Sequence, residues 1–125
     1  MVSFERFEEI LYELADRLPA EMYQHLDGGV FAREEKKIHP AAVHSDLVIL
    51  GEYHVDPHLG RFVVLYYGSF RQVYGYLNEK DLTAQIWHVL RHEFLHHLES
   101  LAGDHSLERQ DAIEIALYRK ARGEA

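Results

Sequence analysis

Residues 92–99 combine side chains that bind metals with side chains that transfer protons: His92, Glu93, His96, His97 and Glu99. A helix that only packs against a core would carry Leu or Ala at most of these positions. Residues four apart lie one turn apart on the same helix face, so His92 and His96 can reach one metal ion. Glu93 lies about a third of a turn away, where its carboxylate can act as a base on a metal-bound water. The spacing therefore predicts a metal site with a general base beside it.

The apolar pattern around these residues predicts a long helix that holds them in place. Asn78 or Asp81 can cap its N-terminus, and Gly103 is typical of a residue that ends a helix. A last helix then begins after a cap at Asp104 or Ser106 and continues to about Arg122. Because only a tight turn joins the two helices, we expect them to form a helical hairpin.

The preceding chain predicts one more helix and a small sheet. Phe4 to Leu18 show apolar residues at three-to-four spacing with acids between them, and Pro19 stops this amphipathic pattern. Two or three strands are expected between Gly28 and Gly75, with the last two forming a hairpin and RFVVLYY, residues 61–67, the best-formed strand. The predicted fold class is α+β: an N-terminal helix, a small, mainly antiparallel sheet, the histidine helix and a C-terminal helix.

The third metal ligand is expected on the C-terminal helix. Glu99 shares the histidine face but lies two turns from His92, so it is better interpreted as an acceptor for an imidazole N–H. If the chain folds back at Gly103, Asp111 lies about as far beyond the turn as His96 lies before it. Asp111 is therefore the predicted ligand. The alternatives that the sequence leaves open are Glu108, Asp104 and Glu114.

Composition limits the classes of function. The 125 residues fit one domain, residues 1–125, and the formal net charge of −8 disfavours nucleic acid and anionic membranes as partners. The N-terminus lacks the features of a secretory signal, no apolar run is long enough to span a bilayer, and a cytoplasmic location is expected. With no cysteine in the chain, a metal site must use histidines and carboxylates.

Three segments together resemble a known family. HEFLHH carries the H-E-x-x-H signature, LVILGEYHV resembles a Leu-Gly-x-Tyr segment, and FVVLYYGSF resembles an apolar strand that ends in Leu-Tyr-x-Gly. The chain is thus similar to the small predicted zinc proteases described as minimal, matrix-metalloprotease-like zincins. The resemblance implies zinc bound by His92 and His96, with Glu93 as the catalytic base. It also implies a substrate that lies along an edge strand, for which RFVVLYY is the candidate.

These observations favour one function and leave two others open. The favoured function is a Zn²⁺-dependent peptidase in which His92, His96 and Asp111 bind zinc, Glu93 deprotonates a water, and a peptide or protein is the substrate. The first alternative is a metal-stabilised binding module without catalytic turnover. The second is a metal-free protein in which the histidines and acids are a hydrated helix face.

Overall fold

The computed structural model describes residues 1–103 and 106–123. Its helices and strands confirm the predicted α+β class and the predicted N-terminal helix. In chain order they are α1 (Phe4–Ala15), a short 3₁₀ turn (Ala20–Tyr23), β1 (Gly29–Arg33), β2 (Lys37–Ile38), β3 (Val48–Ile49), β4 (Gly51–Asp56), β5 (Gly60–Tyr66), α2 (Tyr67–Tyr74), α3 (Glu79–Ala102) and α4 (Ser106–Ala121).

The larger sheet has β5 at its centre, with β1 on one side and β4 on the other. β4 and β5 form the predicted antiparallel hairpin, in which Asp56 lies opposite Gly60. Gly60 has a φ of 79°, a left-handed conformation that glycine adopts without steric cost. β1 runs parallel to β5, a pairing that the mainly antiparallel prediction did not include. β2 and β3 form a separate antiparallel pair.

The hydrophobic core lies where α1 and α3 meet the central strand. Three consecutive residues of β5, Val63 to Leu65, are almost completely buried, so both faces of this strand are covered. The apolar stripe of α1 is buried in the same cluster, as the sequence pattern predicts. α3 adds its own buried stripe, which fixes the helix against the sheet: Leu82, Ile86, Leu90 and Phe94.

The segment that follows β5 forms a helix that the sequence did not predict. The predicted strand at residues 61–67 ends at Tyr66, and α2 begins at Tyr67. Gly68 permits the loop between β1 and β2 to pass close to α2, because a Cβ there would lie 2.5 Å from the backbone nitrogen of Lys36. Phe70 is fully buried and attaches the helix to the core. The strands at β2 and β3 were too short, at two residues each, to produce a periodic pattern in the sequence.

The two C-terminal helices begin and end close to the predicted residues. The side chain of Asn78 accepts a hydrogen bond from the backbone N–H of Asp81 at 2.8 Å and caps α3. Gly103 ends α3 with a φ of 74°. α4 follows from Ser106, while the alternative cap Asp104 lies outside the described residues. In the described parts of the chain, no helix is both long enough and apolar enough to cross a membrane.

Candidate metal centre

α3 places the two histidines predicted as metal ligands one turn apart on a partly open face. The rings of His92 and His96 have centroids 4.8 Å apart and lie nearly perpendicular to each other. Both side chains are only partly exposed, at 36% and 14%. Because the buried stripe of α3 fixes the helix on the sheet, these two imidazoles are held on a rigid element.

Asp111 on α4 reaches both histidines. Its Oδ2 atom lies 3.1 Å from Nε2 of His96 and 3.7 Å from Nε2 of His92. The helical hairpin therefore brings together the three residues that the sequence analysis selected as ligands. It does so for the predicted reason, since Asp111 and His96 lie at similar distances on either side of Gly103. Their role in binding a metal stays a prediction.

The three residues fit a divalent cation in number, type and spacing. Their nearest ligand atoms all lie within 4.8 Å of one another. Donors at about 2.0–2.2 Å from a tetrahedral zinc ion would lie roughly 3.3–3.6 Å apart, so small side-chain rotations would bring all three into range. Two imidazoles and one carboxylate also match catalytic zinc sites, which use three protein ligands and leave the fourth position open.

Glu93 lies beside this group in a buried environment. Its side chain is 7% exposed, and its pKa is raised to about 8, mainly by burial and to a smaller extent by the charges of Asp111 and Glu52. The stem of the side chain packs against the sheet, because a Cβ on Gly51 would lie 3.4 Å from Cγ of Glu93. Glycine at position 51 thus permits β4 to approach the proposed base closely.

The site opens into a cavity of about 640 Å³ between α3, α4 and the start of β4. Glu52 lines this cavity, and the sequence analysis did not select it. Its Oε1 atom accepts hydrogen bonds from Lys37 Nζ at 2.5 Å and from the Tyr66 hydroxyl at 2.6 Å. Burial raises the pKa of Glu52, but these two hydrogen bonds and the contact with His54 together outweigh burial, and the net pKa is lowered. Glu52 therefore stays ionised near Glu93.

The structure also corrects the expected substrate strand. β5, which contains most of residues 61–67, has partners on both sides and offers no free edge. Among the described strands of the larger sheet, β4 lies at the edge next to β5, and Gly51, Glu52 and Tyr53 of β4 line the cavity. An extended peptide could therefore pair only with β4 on this side of the sheet.

The residues that the sequence left open as alternative third ligands lie in different places. Glu108 and Glu114 line the same cavity with exposed side chains, but the described residues that bring ligand atoms together are His92, His96 and Asp111. Asp104 lies outside the described residues. Glu99 is half-buried, and its predicted contact with an imidazole N–H stays a prediction.

His97 belongs to the motif in sequence but faces the interior. It is fully buried, and its Nε2–H donates to the backbone oxygen of Gln24 at 2.8 Å. The Tyr53 hydroxyl, 2.9 Å from Nδ1, must then donate to that nitrogen, and Arg61 donates to the tyrosine oxygen. Burial lowers the pKa of His97, which agrees with a neutral ring. His97 thus attaches α3 to the loop before β1 and to β4.

The fold and geometry can be compared with known proteins. A conserved hypothetical protein from Thermus thermophilus matches with a TM-score of 0.69 and 37% sequence identity, over 81% of this chain and 98% of its own. The chain belongs to the family of this protein. No protein-family model matches the chain, and no curated protein matches it. The match thus shows that the two proteins share a fold.

Proposed function

We propose that this protein is a zinc-dependent peptidase of the zincin type. The observation that carries the proposal is the convergence of His92, His96 and Asp111, whose ligand atoms lie within 4.8 Å of one another beside the buried carboxyl of Glu93. An H-E-x-x-H helix with a third ligand from a separate element is the arrangement that zinc hydrolases use. The site also opens into a cavity large enough for several peptide atoms.

A zinc ion in such a site would acidify a water molecule and polarise the carbonyl group of a substrate. The chain's own contribution is proton transfer at Glu93. A carboxyl with a pKa of about 8 in the metal-free protein is matched to work near neutral pH, and a nearby cation would favour its ionised form. Glu93 would take a proton from the attacking water as the C–O bond forms. It would deliver that proton to the amine nitrogen as the C–N bond breaks.

The proposed substrate is a peptide or an extended protein segment that pairs with β4. This strand has a free edge in the larger sheet and passes directly beside Glu93 at Gly51. Pairing with its backbone would hold a peptide carbonyl near the metal without requiring a particular side chain. The net charge of −8 makes nucleic acid an unfavourable substrate.

Glu93→Gln is the decisive test of catalysis. Zinc-loaded wild type should hydrolyse members of a mixed peptide library, and the variant should lose about 10²- to 10⁴-fold in rate because Gln cannot accept the proton. Zinc content should stay at one ion per chain, since Glu93 is not among the ligands. Glu13→Gln, which removes an exposed carboxylate on α1, is the matched control and should keep wild-type activity.

A second candidate function is a metal-stabilised binding module. It is favoured by the exposure of most described side chains of α4 from Glu108 onwards, because a metal that joins α3 to α4 would stabilise the fold without any catalysis. In that case zinc would raise the thermal midpoint of unfolding, no peptide would be cleaved, and Glu93→Gln would change neither peptide binding nor metal content.

A further inference from the structure

α4 contacts the rest of the protein along one narrow stripe. Of its described side chains from Glu108 onwards, only Asp111, Ile115 and Tyr118 are partly buried, and the others are exposed. Two large apolar side chains, Ile113 and Leu117, are 61% and 62% exposed. In this part of α4, apolar packing therefore contributes little to the position of the helix, and polar contacts hold it.

One group of these polar contacts lies two turns beyond the metal site. Asp46, in the loop between β2 and β3, accepts hydrogen bonds from the Tyr118 hydroxyl and from Nε of Arg122, one on each carboxylate oxygen. The Tyr118 oxygen in turn accepts a hydrogen bond from the backbone N–H of Val43 at 3.1 Å. We call Asp46, Tyr118 and Arg122 the latch.

Further features indicate that the latch is well defined. The Tyr118 and Arg122 donors hold the pKa of Asp46 well below its usual range, so the carboxylate stays ionised. The guanidinium of Arg122 also lies over the Tyr118 ring, 4.3 Å from its centroid. Ser45 adopts a positive φ of 59° next to Asp46, a conformation that non-glycine residues rarely adopt unless their surroundings hold it.

Asp111 of the metal site and Tyr118 of the latch lie on the same side of α4. Asp111 and Tyr118 are seven residues apart, which is about 10 Å of helix rise and nearly two full turns. Gly103 ends α3 shortly before α4 begins. If α4 were attached only at its N-terminal end, it could rotate about that end. A second fixed point at Tyr118 would restrict that rotation and keep the Asp111 carboxylate near the two imidazoles.

We propose that Asp46 and Tyr118 are positioning residues that hold α4 so that Asp111 can complete the metal site. This inference rests on the proposed function, because it requires Asp111 to bind the metal. An isolated surface ion pair contributes little to stability. The effect of the latch is instead on metal affinity, since an unlatched helix would have to be ordered each time zinc binds.

The test is a competitive zinc titration of Tyr118→Phe and Asp46→Asn against a chromogenic chelator. Each variant should bind zinc about 10- to 100-fold more weakly, the range typical when groups that orient a ligand are lost. Tyr118→Phe changes no charge, so its effect cannot come from weaker attraction of the cation. Glu79→Gln is the matched control, because it removes an exposed carboxylate that pairs with Arg6 at the far end of α3.

A thermodynamic cycle separates positioning from general stability. In an Asp111→Asn background, Tyr118→Phe should cause no further loss of zinc affinity, because there is no ligand left to position. An equal loss in both backgrounds, or wild-type affinity in both latch variants, would overturn the inference and leave the proposed function standing. A wild type that binds no zinc would overturn both. Metal-free thermal midpoints of all variants verify that each one folds.

Discussion

The raised pKa of Glu93 makes the metal-free protein sensitive to pH in an unusual direction. Folded Glu93 has a pKa of about 8, against 4.5 for the ordinary carboxyl, so between these values the folded state holds a proton that the unfolded state has lost. Stability falls with rising pH wherever the folded state binds more protons. The stabilisation is therefore fully present below about pH 4.5 and is lost as pH rises towards 8.

Glu93→Gln should remove this dependence, because a neutral amide of the same shape replaces the protonated carboxyl. Each pH unit in the window corresponds to about 1.4 kcal/mol, so from pH 5 to pH 8 the variant should gain roughly 3–4 kcal/mol over wild type. The two proteins should have similar stability at pH 5. Buried His97 has a lowered pKa, so the free energy of unfolding of both proteins falls as pH drops below about 6.5. This effect cancels when the two proteins are compared.

The measurement is urea unfolding at several pH values from 5 to 9, with a chelator present throughout. Glu13→Gln is again the control, because its carboxylate is 61% exposed and the variant should follow wild type at every pH. If the free energies of unfolding of wild type and Glu93→Gln run parallel across this range, burial does not hold a proton on Glu93. Glu93 would then lack the raised pKa that prepares it to act as a base near neutral pH.

Three further outcomes test the ligands. His92→Ala or His96→Ala should each remove the single bound divalent ion, measured by elemental analysis, and full occupancy in both variants would refute the assignment. Asp111→Asn should weaken zinc binding in a competitive titration by more than the 10- to 100-fold expected for Glu99→Gln, because it removes a bond to the metal rather than an orienting contact. Thermal midpoints with and without chelator should converge toward about pH 5, since protons compete with zinc near the histidine pKa of about 6.5.

Local signals were sufficient to predict the helices that build the site. Gly103 was predicted as a helix end and Asn78 as one of two possible caps, and both have those roles in the structure. The position of Asp111 beside His96 could be predicted, because a tight turn between two helices largely determines which of their residues lie side by side. The distance from the turn then decides the partner of His96.

The sheet was predicted less well because its pairing depends on residues far apart in the chain. β1 and β5 are separated by two short strands and a hairpin arm, and nothing local specifies that they run parallel. One signal could have identified the central strand: VVLYY has no polar alternation, which is typical of a strand covered on both faces. β4, with Glu52 and His54 two residues apart, shows the polar positions of an edge strand.

The buried contacts around His97 and Glu52 could not have been found from spacing. His97 depends on Gln24 and Tyr53, which are distant in sequence and belong to other elements. The pKa of Glu52 is lowered despite burial because the fold brings donors from Lys37, Tyr66 and His54 to this carboxylate. In both cases the side chain's environment, rather than its type, decides whether it supports the fold or the site.

The proposed site draws its parts from elements of different rigidity. His92, Glu93 and His96 lie on a helix fixed by a fully buried stripe, whereas Asp111 lies on a helix with no fully buried side chain in its described part from Glu108 onwards. Proton transfer at Glu93 therefore depends on the core, and completion of the ligand set depends on α4 and its latch. Weakening the latch should lower metal occupancy at limiting zinc, while the chemistry of fully occupied protein should stay close to that of wild type.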